Sequence, residues 1–435
     1  MKSCCSLLAL ALASVAPHAA SAQPSPLVLG DLHREVVRAS PRAAAARALA
    51  RAAEARVPGA KLPPDPQLQL GFMNYSLPSL APMDPLGMTQ LQLMQMLPLG
   101  GKLGLSGRVA EAQRAAQRAR AADVEWEVRG QVAMAFYDLY QADQGLVVAR
   151  ETIRLLQDAR ATAEAMYRVG EGRQADVLRA QVEIARMTED TLRMRAMRST
   201  MVARLDALLD RAQGADVGAP ALPQFPAEVP SLDSLDALAR ANRPMLAAGE
   251  QALHAAQAGE QLMRREIWPD LQVGVAYGQR AASDGMGTER MGSLMLGASV
   301  PIFARSRQLR LREEAAAMRQ MALADLASMR AETRGKVGEA YASLTRARRL
   351  AALYRGTILP QAEASVASAL AAYRVGQVDF MTLLDNRMTV NQYRQELYAL
   401  EADEGKAWAD LEMLTGRELL DPDSIRRTAA SGGAQ

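Results

Sequence analysis

Side chains that could perform chemistry are few in this chain and lie far apart. His33 and His254 are the only histidines beyond residue 18, and they are distant in sequence. A structural metal site or an imidazole-based catalytic triad is therefore not expected. Neither a Gly-rich phosphate loop nor a nucleophile elbow is present. We predict a protein that is not an enzyme and that has no catalytic residues, no cofactor and no resident metal.

Methionine is the one potential ligand that clusters in sequence. Thioether sulfurs suit soft ions such as Cu(I) and Ag(I), so a metal-conducting role is one interpretation. Flexible apolar filling is the favoured alternative, because no fixed ligand spacing repeats. The clusters lie in two predicted strand hairpins and comprise Met73, Met83, Met88, Met94 and Met96 in the first, and Met286, Met291 and Met295 in the second.

The elements that would position any functional residue occur twice. Pro41 recurs as Pro244, 203 residues later, and many flanking residues recur at the same offset. The tetrapeptide Tyr-Arg-Val-Gly occupies residues 167–170 and again 373–376. A duplicated unit of this length predicts one pseudosymmetric architecture instead of two independent domains.

Composition excludes several classes of protein. Aromatic residues make up only 4% of the 435 residues, and the formal charge of +3 is too small to indicate nucleic-acid binding. Residues 1–22 have the pattern of a secretory signal peptide, and both cysteines lie within it. The mature chain therefore has no thiol for a disulfide or a lipid anchor. No later segment has the ~18 apolar residues of a transmembrane helix.

Each half is predicted to contain an opening helix, two strands, a long helix and a shorter return helix. The long helices, at about 1.5 Å per residue, would be rods of about 100 Å, with the shorter helices stacked end to end beside them. The predicted helices cover residues 31–56, 105–168 and 175–211 in the first half, and 234–265, 307–374 and 381–415 in the second.

Four predicted strands alternate apolar with polar or small residues. They cover residues 67–72, 89–94, 271–277 and 294–300. Alternation alone fits an outer-membrane barrel and a pair of hairpins on a soluble sheet equally well, and the signal peptide and duplication favour the membrane. Because a single-chain barrel needs at least about 8 strands, and an open edge in lipid leaves backbone groups unpaired, several protomers would share one barrel.

This arrangement resembles the TolC-like outer-membrane efflux proteins over nearly the whole mature chain. The paired turns carry the resemblance, together with Asp176 to Gln181 after the first turn, Leu383 to Asp385 after the second, and the prolines that bound the strands. It implies a mostly α fold in which three protomers form a 12-stranded outer-membrane β-barrel continuous with a periplasmic α-barrel. It also implies a periplasmic adaptor and an inner-membrane efflux pump as partners. Residues 83–88 and 98–102 look most like the heavy-metal efflux branch.

The resemblance places the periplasmic gate and the adaptor-docking turns at the rod ends. One aspartate per protomer on the pore face would form a ring of like charges that selects cations. Asp176 lies in the first turn of its helix, where the helix dipole favours a carboxylate, so a capping role is the favoured interpretation there; pore lining is favoured for Asp385. The candidate gate or pore residues are Asp176, Asp385, Thr382, Tyr167 and Tyr373, and the candidate docking turns contain Val169, Gly170, Val375 and Gly376.

The gate region departs from the pattern that the resemblance implies. Val378 stands where some members carry an arginine, and Thr382 where some carry an aspartate, so their closing salt bridges are in doubt here. The two tyrosines could bond to neighbouring coils or simply pack against the return helices. The repeats also differ near the turns, where Arg173 in the first corresponds to Asp379 in the second.

These observations predict a domain order and a function. The order is a signal peptide (1–22), a first repeat (23–212), a linker (213–231), a second repeat (232–420) and a disordered tail (421–435). The predicted function is a passive exit duct in the outer membrane, with heavy-metal cations as a candidate substrate class. The alternative is a non-pore periplasmic coiled-coil adaptor or structural protein, although an adaptor should carry one helical hairpin and often a lipidated cysteine.

Overall fold

The computed structural model describes residues 26–76, 78, 81–83, 87–214, 217–281 and 287–420. The predicted signal peptide, the predicted C-terminal tail and Met286 lie outside these residues. Helices dominate the described chain and accompany a small antiparallel sheet, so the predicted mostly α fold with a small β part is confirmed. Within the described ranges, none of the helices has the apolar length that a bilayer span requires.

The helices form two successive sets with a matching order. Pro41 and Pro244 each begin a helix, because proline lacks an N–H that the first turn would leave unbonded in any case. The first set is α1 (Leu29–Ala39), α2 (Pro41–Ala60), α3 (Lys102–Arg168) and α4 (Gln174–Leu208). The second set is α5 (Leu232–Asn242), α6 (Pro244–Arg265), α7 (Gln308–Leu353), α8 (Leu359–Arg374) and α9 (Phe380–Thr415).

Helix α3 is the longest element, with 67 residues and a length of about 100 Å. Helices α2 and α4 both lie along it. Lys61 near the end of α2 pairs with Glu111 near the start of α3 at 2.6 Å. Arg198 of α4 pairs with Asp143, further along α3, also at 2.6 Å. Helices α2 and α4 therefore lie beside different parts of α3, and the opening helix α6 of the other half also packs against it.

The second rod differs from the prediction of one helix over residues 307–374. A π-helical segment, Tyr354–Ile358, separates α7 from α8, and Pro360 follows it. Proline cannot donate a backbone hydrogen bond, and its ring crowds the carbonyl of Gly356 four residues earlier. A wider π turn at this place removes both conflicts while the chain continues in the same helical direction.

The sheet consists of two hairpins joined side by side. Its four main strands are all antiparallel and lie side by side in chain order, and a short two-stranded ribbon lies in the first hairpin loop. The strands run beyond their predicted bounds, except that the last ends before Val300, because ladder pairing continues past the clearest apolar alternation. They are β1 (Gln67–Met73), β2 (Tyr75–Ser76), β3 (Ala81–Pro82), β4 (Met88–Leu97), β5 (Leu271–Ala281) and β6 (Thr288–Ala298).

The helical core joins the two repeats where α9 packs antiparallel along α3. Gly405 of α9 lies directly against the ring of Tyr137 of α3, and a Cβ at that glycine would overlap the ring. Phe136 packs edge-on to Tyr137 in the same buried cluster. The absence of a side chain at Gly405 therefore sets how closely the two helices approach.

Candidate functional site

The register of the sheet places large apolar side chains on one face, which we call the apolar face. One row across all four strands joins Leu68, Leu93, Val275 and Leu294, and these side chains are 44–69% exposed. Polar side chains on this face are few, and they include Thr89, Gln95, Gln279 and Arg290. Its large apolar residues are Leu68, Leu70, Phe72, Leu91, Leu93, Leu97, Leu271, Val273, Val275, Tyr277, Leu294 and Leu296. A contiguous exposed patch of this kind requires a lipid or protein cover.

The opposite face, which we call the polar face, carries amides, small residues and methionines. The ion pair between Arg280 and Glu289, at 2.7 Å, lies on it near the loop end. Gly274 and Gly278 leave two positions of β5 without side chains between β4 and β6. The polar face comprises Gln67, Gln69, Gly71, Met73, Met88, Gln90, Gln92, Met94, Met96, Gln272, Gly274, Ala276, Gly278, Arg280, Glu289, Met291, Ser293, Met295 and Gly297.

The edges of the sheet are β1 and β6, and each is paired along one side only within the described chain. Unpaired strand edges expose rows of N–H and C=O groups that lipid cannot satisfy. An arrangement with one apolar face and two open edges is thus suited to lateral pairing with further copies of itself.

An exposed apolar belt marks the junction between sheet and helices. Trp268, Val300, Ile302 and Phe303 are each more than half exposed there. On the inner side of the same junction, buried Lys102 at the start of α3 contacts Asp270 at 2.8 Å. Aromatic and apolar side chains beside charged groups are typical of a membrane–water interface.

The rod ends form two tight turns with the same geometry. Gly170 and Gly376 adopt left-handed φ values of 79° and 71°, which L side chains rarely adopt. Val169 and Val375 precede these glycines and are 70% and 68% exposed. The two candidate docking turns therefore present matching apolar tips.

The two tyrosines of the turns lie in different surroundings. Tyr373 is buried against Phe380 of the return helix α9, with ring centroids 5.6 Å apart, and its hydroxyl has no partner in the described structure. Burial, together with the carboxylate of Asp176, raises the pKa of the Tyr373 hydroxyl. Tyr167 is 48% exposed. The structure thus brings Asp176 of the first repeat near Tyr373 of the second.

The return helices begin differently in the two repeats. The Asp379 carboxylate accepts hydrogen bonds from the Thr382 backbone N–H at 3.0 Å and from its hydroxyl at 2.6 Å, and so caps α9. These bonds lower the pKa of Asp379. Arg173, at the matching place before α4, gives no side-chain cap. Thr382 is therefore a partner of the cap, while Asp385 lies exposed one turn further along α9.

Some features of the tips were missed by the sequence reasoning. The Asp-x-x-Thr pattern of Asp379 and Thr382 is a helix-start signal that could have been recognised. Arg394 of α9 bonds to Glu151 of α3 at 2.9 Å and to Glu363 of α8 at 2.7 Å, which joins three helices. No sequence signal links these residues, because they are far apart in the chain. The described residues contain no group of three or more His, Cys, Asp or Glu able to hold a metal ion.

Comparison with known proteins gives a consistent set of similarities. The profile described as "Outer membrane efflux protein" matches residues 34–211 and 236–417, one segment in each half. Among curated proteins, the chain is similar to the "Cobalt-zinc-cadmium resistance protein CzcC" of Cupriavidus metallidurans. The two are 26% identical over 330 residues, which cover 74% of this chain and 75% of that protein.

Solved structures show the same fold at low sequence identity. CusC, described as undergoing transmembrane channel formation, superposes with a TM-score of 0.77 and 17% identity, covering 91% of this chain and 93% of CusC. The open state of the MtrE outer membrane channel of Neisseria gonorrhoeae superposes with a TM-score of 0.75 and 18% identity, covering 90% and 89%. The outer-membrane channel OprN gives a TM-score of 0.76 and 18% identity, covering 89% of each chain.

Proposed function

Because this chain belongs to the outer membrane efflux protein family and is an outer-membrane efflux channel with a large periplasmic helical part, we propose that it is a passive exit duct with no catalytic activity. The observation that carries the proposal is the two-faced sheet with open edges, joined to helical rods of about 100 Å. Energy for transport would come from an inner-membrane pump, which a periplasmic adaptor links to the duct.

The proposed assembly is a homotrimer in which β6 of one protomer pairs with β1 of the next. Two protomers would supply eight strands, and an eight-stranded barrel is filled by its own side chains. Three protomers supply twelve strands and leave a lumen lined by the polar face, with the apolar face in lipid. Exposed apolar residues on α7, including Leu309, Met318, Met321 and Leu323, would be covered by neighbouring helices.

The rod ends are the proposed contact with the adaptor and the proposed gate. Val169 and Val375 are exposed at the two turns that Gly170 and Gly376 form. They would present equivalent apolar contacts to a partner. Asp385 is exposed, and its carboxylate forms no hydrogen bond or ion pair with the described chain, which supports pore lining. We assign the gate to Asp385 and Asp176, together with Tyr167, Tyr373 and Thr382.

The proposed processing and repeat boundaries follow the sequence pattern. Removal of residues 1–22 would release the mature chain to the periplasm, and residues 213–231 would connect the two repeats. A parallel bridge between Leu27 and Pro220 supports this role, since it ties the start of the chain to the linker. The tail over residues 421–435 would remain in the periplasm.

The proposed substrates are heavy-metal cations. Similarity to a cobalt-zinc-cadmium resistance protein supports this class, as do the exposed carboxylates at the tips. A deletion strain should become more sensitive to these metals, and the intact gene should restore resistance. Unchanged metal sensitivity combined with sensitivity to organic compounds would contradict the substrate class while leaving the duct intact.

Conductance in planar bilayers tests the duct itself. The mature protein should purify from outer membranes as a trimer by native mass and should open discrete ion-conducting channels. A properly assembled trimer without conductance would contradict the proposal, and a soluble periplasmic monomer would favour the adaptor alternative.

Ion selectivity tests the gate. Asp385→Ala should reduce the preference for cations, because it removes a ring of three carboxylates from the passage. Glu189→Ala is the matched control, since Glu189 is an exposed carboxylate paired with Arg193 on α4. Equal cation selectivity in both variants and the parent protein would contradict the proposal that Asp385 lines the pore.

A further inference from the structure

The methionines of the described sheet strands all lie on the polar face. Flexible apolar filler would be expected on either face, or mainly on the side with the leucines, but none of these methionines lies on the apolar face. The six residues are Met73, Met88, Met94, Met96, Met291 and Met295. Their neighbours on that face are amides, small residues and the ion pair of Arg280 with Glu289, so no apolar core requires thioethers there.

Two of these methionines converge over one glycine. Met94 of β4, Gly274 of β5 and Met295 of β6 occupy a single row across three strands. A Cβ built at Gly274 would lie 3.2 Å from Cγ of Met94 and 3.5 Å from Cε of Met295. Both side chains therefore extend over the backbone of Gly274, Met94 from β4 and Met295 from β6.

The side-chain amide of Gln92 lies close to the sulfur atoms of both Met94 and Met295. The Nε2 of Gln92 lies 2.6 Å from Sδ of Met94 and 3.9 Å from Sδ of Met295. Adjacent strands are about 4.8 Å apart, so residues two strands apart meet only if their long side chains fold toward each other over a small residue. Gly274 provides that small residue.

Thioether pairs have a restricted ligand chemistry. They are neutral, soft donors that bind Cu(I) and Ag(I) and have little affinity for hard divalent ions. We infer that Met94, Met295 and Gly274 form a binding site for a soft monovalent metal cation on the polar face. The position of the site in the lumen rests on the proposed duct, in which each trimer would carry three such sites along the exit path.

The test is titration of the purified trimer in detergent with Ag(I), in chloride-free buffer, by isothermal calorimetry. The parent protein should bind Ag(I) with one ion per chain that depends on Met94 and Met295, and X-ray absorption of the bound silver should show sulfur neighbours. Met94→Leu and Met295→Leu should each lower the number of bound ions by one per chain, because leucine keeps the volume but has no donor. Met73 and Met88, which pair across β1 and β4, remain unchanged in both variants. A number of bound ions in the double variant equal to that of the parent would overturn the site.

Met96→Leu is the matched control. Met96 lies on the same strand and face, but its row continues through Gln272 to Gly297, without a second thioether. This variant should bind Ag(I) as the parent does, and an equal loss would overturn the pairing of Met94 with Met295. Gly274→Val offers a second route, since it keeps both sulfurs but fills the space they share, and it should also bind one ion fewer per chain.

Two further measurements distinguish failure of the proposed metal site from failure of the proposed duct. Zn(II) should give no saturable heat that depends on Met94 or Met295, and such a heat would overturn the thioether basis. Native mass and bilayer conductance of the same samples report assembly. A conducting trimer that fails to bind Ag(I) would overturn the metal site alone, whereas loss of the trimer in the parent protein would overturn the duct.

Discussion

The two return helices occupy matching places in the repeats, yet within the described chain only in α9 do side-chain carboxylates accept hydrogen bonds from the backbone at both ends. Asp206 in α4 and Glu412 in α9 lie 206 residues apart, at the same offset as the turns. The Oε1 of Glu412 accepts hydrogen bonds from the backbone N–H groups of Leu419 and Leu420, at 2.8 and 2.7 Å. Asp206 is fully buried, and neither carboxylate oxygen has a hydrogen-bond partner in the described structure.

The same contrast appears at the other end of each helix. Asp379 caps the start of α9, whereas Arg173 leaves the start of α4 uncapped. Helix α9 is therefore fixed at both ends by its own carboxylates, whereas the chain after α4 is tied to α1 by the ion pair between Arg211 and Glu35. Duplication of a sequence preserves the positions of side chains, but it does not preserve the partners that make a buried or terminal carboxylate favourable.

The largest expected effect is at the middle of α9. Gly405→Ala should lower the thermal unfolding midpoint of the trimer, measured by circular dichroism, because overpacking against Tyr137 costs about 1–3 kcal/mol. Ser199 is the matching and exposed position in α4, so Ser199→Ala should leave the midpoint nearly unchanged. Equal midpoints for the two variants would mean that α9 is no more tightly packed than α4.

Substitutions at the two corresponding carboxylates, Asp206 and Glu412, should shift the unfolding midpoint in opposite directions. Glu412→Met should lower the midpoint, because the N–H of buried Leu420 loses its acceptor and an unsatisfied buried N–H group costs about 1–3 kcal/mol. Removal of the buried carboxyl offsets part of this cost, so the net effect should be smaller than that of Gly405→Ala. Asp206→Leu should raise the midpoint, because the change removes a buried carboxylate that has no hydrogen-bond partner. The same sign for both substitutions would refute the contrast drawn between the two helix ends.

The pH dependence of stability offers a finer test of Glu412. Burial raises the pKa of this carboxyl, although the two N–H donors and Arg129 oppose the shift and Glu418 adds to it. A raised folded pKa favours the protonated form, so the associated stability is fully present below the ordinary value of 4.5 and is lost as pH rises through the folded pKa. Glu412→Gln should flatten the midpoint profile as pH rises above 4.5. A profile identical to that of the parent would contradict the shift.

The smallest expected effect is at the helix starts. Asp379→Ala should speed amide hydrogen exchange in the first turn of α9 severalfold, because that turn loses its cap. Arg173→Asp should slow exchange in the first turn of α4 by supplying one. Exchange that changes in neither turn would show that packing, and not capping, holds the tips.

Much of the fold was predictable because its signals are local. Helical periodicity, the prolines that open α2 and α6, and the glycines of the turns depend on neighbouring residues in the chain. The π segment was missed, since Pro360 is also compatible with the first turn of a new helix. At the tips, the turns were predicted, but the cap by Asp379 and the bonds of Arg394 to two other helices were not.

Short-range periodicity and backbone sterics specify the duplicated order of helices and strands, the alternation within each strand and the left-handed glycines at the rod ends, so the residues alone predict them. Which side chains meet depends instead on packing between distant parts of the chain. The row Met94–Gly274–Met295 depends on strand register between hairpins far apart in the chain. Glu412 accepts hydrogen bonds and Asp206 does not, and this difference likewise depends on the path of the chain after each helix, which packing determines.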